Sequence, residues 1–152
     1  MSTESNWTKD EAQIRTLRNN LANAVYTKSV DGVMSHYAAN PVMFELAPPL
    51  QIRGDERTGK QNLEQWFATF QGPIGYEIRD LHITVDHEVA FCCSLNRISG
   101  MRSNGDQTDI WVRETLCFRK IDNEWKVVHE HQSVPLYMDG SNKAAVDLKP
   151  SG

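Results

Sequence analysis

DIWVRETLCFRKIDNEWKVVHEHQSVP, residues 109–135, reads as a β-hairpin. Two runs of strand-favouring residues flank Asp122-Asn123, a turn pair. Side chains alternate along a strand, so each run has two faces. On the first, Ile110, Val112, Glu114, Leu116 and Phe118 share one side, and Trp111, Arg113, Thr115, Cys117 and Arg119 the other. On the second, Val128, Glu130, Gln132 and Val134 oppose Trp125, Val127, His129, His131 and Ser133. Neither side is plainly a solvent face, and which one lines an interior decides the functional reading.

The chain has 152 residues, enough for one domain with a sizeable core. Its formal charge of −4, with acids and bases interspersed, argues against nucleic acid or an anionic membrane as the main partner. No apolar run reaches transmembrane length. The opening MSTESNWTKDEAQ lacks the apolar region of a signal peptide. Cys92, Cys93 and Cys117 form neither a disulfide framework nor a zinc spacing, and a reduced, cytoplasmic compartment is expected.

Upstream of the hairpin, Thr8 with Glu11 fits a capping box, and Ile14, Leu17, Leu21, Ala24 and Val25 recur at helical spacing. A shorter helix is expected from Asp31, with Val33, Met34 and Tyr37 on one side and Pro41 as its stop. A short strand over 42–46 ends at Pro48-Pro49. Thr58 with Gln61 suggests another helix start, and Leu63, Trp66, Phe67 and Phe70 its buried stripe. From Tyr76 the period changes to two, predicting strands over 76–85, 89–99, 109–120 and 125–134, with turns at Asp86-His87 and Asn104-Gly105. Helices first and a strand meander after is an α+β pattern, with helices on one face of a curved antiparallel sheet. Bending the sheet leaves room for a small ligand. Residues 136–152 mix Gly, Ser, Lys, Asp and Pro and are expected to be a flexible tail after a domain over 8–135.

The first helix, DGVMSHYAANPVMFE, the Pro-Pro loop, Arg53-Gly54, the Trp-Phe helix and WVRETLCFRKIDNEWKVVHEHQSVP together resemble the SnoaL-like branch of the nuclear transport factor 2-like (NTF2-like) superfamily. The C-terminal strands are also similar to the association domain of calcium/calmodulin-dependent protein kinase II. The resemblance implies a cone-shaped, cystatin-like fold. The superfamily hosts isomerases, cyclases, dehydratases and non-catalytic assembly domains, so function must be argued from the site. On the pattern of ketosteroid isomerase, a member of the superfamily, the general base falls on Glu45 and the oxyanion-stabilising acid on Glu114. The oxyanion tyrosine falls on Leu21, a departure that removes one hydrogen-bond donor.

If Glu114 faces inward, so do Ile110, Val112, Leu116 and Phe118, with Phe91, Cys93, Leu95 and Arg97 on the preceding strand and Val128, Glu130 and Gln132 on the following one. Glu45, Arg97, Glu114, Glu130 and Gln132 would form the polar end of an apolar cavity, with Tyr37, Phe44 and Trp66 in its wall. The expected ligand is a small, largely apolar organic molecule with a polar group. The expected chemistry is cofactor-free proton abstraction next to a carbonyl, with Glu45 as base and protonated Glu114 as donor. Crowded carboxylates raise the pKa of at least one of Glu114 and Glu130 unless Arg97 neutralises them, so Glu114→Gln is expected to stabilise the protein at neutral pH. The bland alternatives are a structural ion-pair set of Arg97, Glu114 and Glu130, a core role for Trp66, and a solvated strand end at Glu45. His129 and His131 resemble a metal pair without a third ligand, and no metal site is expected. The opposite face, with Trp111, Arg113, Trp125, His129 and His131, is too apolar to stay wet, which predicts a homodimer weakened on acidification. On the reversed face assignment, His129 and His131 line the cavity instead.

Overall fold

The computed structural model describes residues 3–151, with side chains at 9–55 and 59–151. Its elements are α1 (Thr3–Tyr26), α2 (Val30–Met34), β1 (Tyr37–Phe44), β2 (Ile52–Arg53), α3 (Glu56–Ala68), β3 (Gly75–Asp86), β4 (Val89–Met101), β5 (Gln107–Ile121) and β6 (Glu124–Ser133). The six strands form one sheet in the order β2-β1-β6-β5-β4-β3. β3 to β6 are the predicted antiparallel meander, but β1 runs parallel to β6, which makes the sheet mixed. At the β5–β6 turn, Asp122 and Asn123 have φ of 50° and 67°, as a two-residue hairpin turn with a right-handed strand twist requires.

Helices cover one face of the curved sheet. The α1 stripe of Ile14, Leu17, Leu21 and Ala24 is buried in one cluster with Ile98, Val112, Leu116, Phe118 and Val127. Asp10 fastens this helix to the hairpin: its Oδ1 accepts from Lys120 Nζ at 3.0 Å and from Trp125 Nε1 at 3.3 Å. α1 begins before the expected Thr8 start, and the side chains of Thr8 and Thr58 lie outside the described residues. Ser29 caps α2, accepting from Gly32 N. That helix ends at Met34, and Tyr37 opens β1 instead of closing the helix. Pro41 therefore sits inside a strand, where the pairing with β6 slips between Tyr37 and Val42, the kind of irregularity that tolerates a proline. After β6, Leu136 bridges Ala144, Ala145 N donates to Pro135 O at 2.8 Å, and Ala145 is buried.

Two face assignments differ from the sequence expectation. On β6, Phe118 pairs with Val127 and Cys117 with His129, so Val128 is an extra residue. This bulge reverses the alternation. Trp125 and Val127 thus belong to the core, 5% and 0% exposed, whereas Glu130 and Gln132 keep the inward direction. Trp125 is therefore not part of the outer face proposed for dimer contact. On β4, Ser94 lies opposite Glu114 and Asn96 opposite Val112. Directly paired residues share a face, so Cys92, Ser94, Asn96 and Ile98 point inward. Phe91, Cys93, Leu95 and Arg97 point outward.

A carboxylate row on the inner sheet face

Each strand of the meander contributes to a polar row inside the apolar core. Glu114, at the middle of β5 and 3% exposed, is its anchor. Oε1 accepts from Arg18 Nη2 of α1 at 2.6 Å and from Asn96 Nδ2 of β4 at 3.0 Å. Oε2 accepts from Gln132 Nε2, its direct β6 partner, at 2.9 Å and from the Tyr76 hydroxyl of β3 at 3.3 Å. Ser94 in turn holds Asn96, donating to Oδ1 at 2.7 Å. Arg18 and Asn96 also donate to the Tyr76 oxygen, at 3.2 and 2.9 Å.

A second carboxyl, Glu130, lies within hydrogen-bonding reach of Glu114 and also of Glu45, the residue just after β1. Tyr37, from the start of β1, donates its hydroxyl to Glu130 Oε1 at 3.1 Å. Three carboxyls therefore lie in a row, Glu45–Glu130–Glu114, with one guanidinium at the Glu114 end. Two carboxylates in hydrogen-bond contact cannot both be ionised without strong repulsion. Burial presses on Glu114, but Arg18, Gln132, Glu130 and Asn96 outweigh it and hold this acid below the ordinary carboxylate range. Glu130 lies well above that range, because burial and its two acidic neighbours, Glu45 and Glu114, all oppose its charge. Glu45 is also raised, chiefly by burial. Burial, with the neighbouring carboxyls, keeps the Tyr37 and Tyr76 phenols neutral.

Of the residues expected at the site, the fold brings together Glu45, Glu114, Glu130, Gln132 and Tyr37. Arg97 is on the opposite face, bidentate to Asp109 at 2.7 and 2.8 Å. Phe44 pairs in register with His131 and faces outward too, its ring edge-on to His129 and His131 at 4.9 and 5.3 Å. Trp66, half-buried, packs on Phe67 and Phe70. The expectation of a protonated Glu114 does not hold, because its counter-ion is Arg18 and not the outward-facing Arg97. Arg18, Tyr76, Asn96 and Ser94 were missed. Arg18 had a legible signal: it lies between Leu17 and Leu21 in the apolar stripe of α1, where an unpaired charge is untenable. Among the described residues, no group of three His, Cys, Asp or Glu is arranged to hold a metal ion, and no helix is long and apolar enough to cross a membrane. A groove of about 310 Å³ does occur, but on the outer face, around Phe91, Cys117, Arg119 and Val128.

Helices on one face of a curved mixed sheet, with a polar row beneath them, define a protein of the NTF2-like class. The chain belongs to the SnoaL-like domain family, whose model matches residues 14–137. It is similar to an NTF2-like protein of unknown function from Pseudomonas putida KT2440, at 28% identity over 94% of this chain and 98% of that one, with a TM-score of 0.84. It shares its fold with a ketosteroid isomerase-like protein from Erwinia carotovora atroseptica SCRI1043, at 17% identity over 82% and 95% of the two chains, TM-score 0.70. The association domain of C. elegans calcium/calmodulin-dependent protein kinase II has the fold as well, at 15% identity over 85% and 98%, TM-score 0.66. No curated protein matches the chain.

Proposed function

We propose that this SnoaL-like domain binds a small, largely apolar organic molecule at the Glu45 end of the row and performs cofactor-free acid–base chemistry on it. The reaction class is proton abstraction from a carbon next to a carbonyl, as an isomerase, cyclase or dehydratase requires. Glu45 is the base. The donor to the carbonyl oxygen is Glu130 in place of Glu114, whose oxygens already accept from Arg18, Asn96, Gln132 and Tyr76. The observation that carries this reading is the contact of Glu45 with Glu130: burial raises both acids, but their mutual contact raises Glu130 further and works against the rise of Glu45, so the shared proton is favoured on Glu130. The test is solvent-deuterium incorporation next to the carbonyl of small apolar ketones such as 2-tetralone, followed by NMR. Wild-type protein should accelerate exchange over buffer and Glu45→Gln should abolish the acceleration. No acceleration, or acceleration that survives Glu45→Gln, overturns the proposal.

A second reading, a non-catalytic ligand-binding or assembly module, is favoured by one feature. Arg18, Asn96, Gln132 and Tyr76 all donate to Glu114, which leaves few donors for a developing oxyanion. Such a module would bind the ketones without exchanging their protons.

The outer face supports a homodimer, with Trp111, Arg113, His129 and His131 joined by Phe44 and Phe91. Phe91 is 47% exposed and Val89 52%, beside the groove, an apolar surface suited to a self-complementary contact. Sedimentation should give a dimer that Phe91→Lys converts to monomer; a wild-type monomer excludes it. The free thiols of Cys92, Cys93 and Cys117 suit a reducing compartment such as the cytoplasm.

A further inference from the structure

We propose that Arg18 is a positioning residue that fixes which carboxyl of the row carries the proton, and thereby makes Glu130 the acid. The proposal takes the name "acid" from the function above, but the proton's location follows from the contacts alone. Around Glu114 every partner except Glu130 is a donor: Arg18, Asn96, Tyr76 and Gln132. A hydrogen on Glu114 would have to displace one of them. Glu130 stands in the opposite situation. Its Oε1 already accepts from Tyr37, and its other neighbours are the carboxyls of Glu45 and Glu114, so a hydrogen of its own is what lets it bond to either.

The asymmetry has one electrostatic source. The titratable groups facing the row are Arg18 from α1, Tyr37 and Glu45 at the two ends of β1, Tyr76 from β3, Cys92 from β4, Glu114 from β5 and Glu130 from β6. Burial holds Tyr37, Tyr76 and Cys92 neutral. The cation in the set is Arg18, and it touches Glu114, 96 positions further along the chain. It is 2% exposed, and its Nε has no protein partner. Without its charge, only neutral dipoles and the place of Glu45 beside Glu130 would distinguish the two acids, and a buried carboxyl with no cation beside it takes up a proton.

The experiment follows side-chain carboxyl carbons by NMR through a pH titration of protein labelled at glutamate Cδ, with resonances assigned from Glu45→Gln, Glu114→Gln and Glu130→Gln. In the wild type, Glu114 should titrate below the ordinary carboxylate range and Glu130 above it. In Arg18→Gln, Glu114 should move above that range, and Arg18→Lys should restore the wild-type order, which a purely steric role for Arg18 does not predict. Should Arg18→Gln not fold, the double variant Arg18→Met/Glu114→Gln removes the ion pair as a unit. There the Glu130 midpoint should fall, because the anion next to it is gone. A Glu114 that stays ionised in folded Arg18→Gln, or a Glu130 midpoint that does not move in the double variant, overturns the inference. If the predicted titration order appears but ketone exchange does not, the acid–base function fails and the placement of the proton stands. If exchange occurs with the order reversed, the placement fails and the function stands.

Discussion

Two arginine–carboxylate pairs face opposite sides of the same sheet. Arg18 meets Glu114 at 2.6 Å, with side chains 3% and 2% exposed. Arg97 meets Asp109 at 2.7 Å, with side chains 42% and 52% exposed. Judged by distance they are equivalent, and Arg97 makes the more regular, bidentate contact. Their surroundings separate them. The inner pair has been removed from water, and Glu114 collects three further donors that replace its hydration. The outer pair remains half in solvent, where the bulk dielectric and salt weaken it. Contact length therefore says little about consequence. What matters is what would be stranded if one partner were taken away.

The largest expected effect is on the inner pair. Arg18→Met leaves a buried carboxylate without its cation, and breaking a buried pair from one side costs about 3–5 kcal/mol. Glu114→Gln leaves the guanidinium stranded and should also destabilise at neutral pH, the reverse of the stabilisation expected from sequence. Arg18→Met/Glu114→Gln should recover most of the loss, since neither ion is then left alone. Urea denaturation of the three variants checks this. Single variants as stable as the wild type would mean that water reaches the pair and that the inner face is not dry.

Glu130→Gln is the next effect in size and has the opposite sign. Glutamine keeps an oxygen for Tyr37 and offers an amide to both neighbouring carboxyls. The folded pKa of Glu130 is raised, so the native state holds its proton more tightly than the unfolded chain does. Its contribution to stability is fully present below the unfolded value of about 4.3 and is lost as pH rises through the folded value, at about 1.4 kcal/mol per pH unit. Glu114 works the other way: its pKa is lowered, so its contribution is present above about 4.3 and is lost as pH falls through the folded value. Glu130→Gln should therefore match the wild type near pH 4 and become progressively more stable than it toward neutrality. Denaturation midpoints across that range test it, and parallel curves for the two proteins would mean that Glu130 is not the protonated member of the row.

The same two pairs show how far the sequence could be read. The hairpin, the α1 stripe and the strand meander were legible, because a 3.6 or two-residue period survives wherever one face is apolar. The inward direction of Glu114, Glu130 and Gln132 was legible with them. The face of β4 was not. In FCCSLNRIS the more apolar set, Phe91, Cys93 and Leu95, is the outer one, since the inner set carries Ser94 and Asn96 to serve Glu114. A polar network in the core inverts the rule that apolar content marks the buried side, and Arg97 was carried inward with that error. The bulge at Val128 was hidden for another reason: it arises from the register between β5 and β6, and nothing in WKVVHEHQ announces the extra residue. Arg18 was visible as a charge in an apolar stripe, but its partner lies on β5 and only the tertiary structure joins them.

The smallest expected effect belongs to the outer pair, and it is informative because it should be small. Asp109→Asn removes the carboxylate from Arg97, yet the guanidinium keeps water and a second acid, Glu77, at 3.8 Å. Nothing is stranded in a dry environment, so the midpoint of urea denaturation should stay within experimental error of the wild type, both in dilute buffer and at high salt. The inner pair, shielded from ions, should be equally indifferent to salt in the wild type, so salt alone does not distinguish the two sides. The comparison is made by substitution. If Asp109→Asn destabilises as much as Arg18→Met, the outer pair is not in solvent in the working protein. The outer face would then be covered by a second copy, and the loss should shrink as the protein is diluted below the concentration at which sedimentation shows that copy to dissociate.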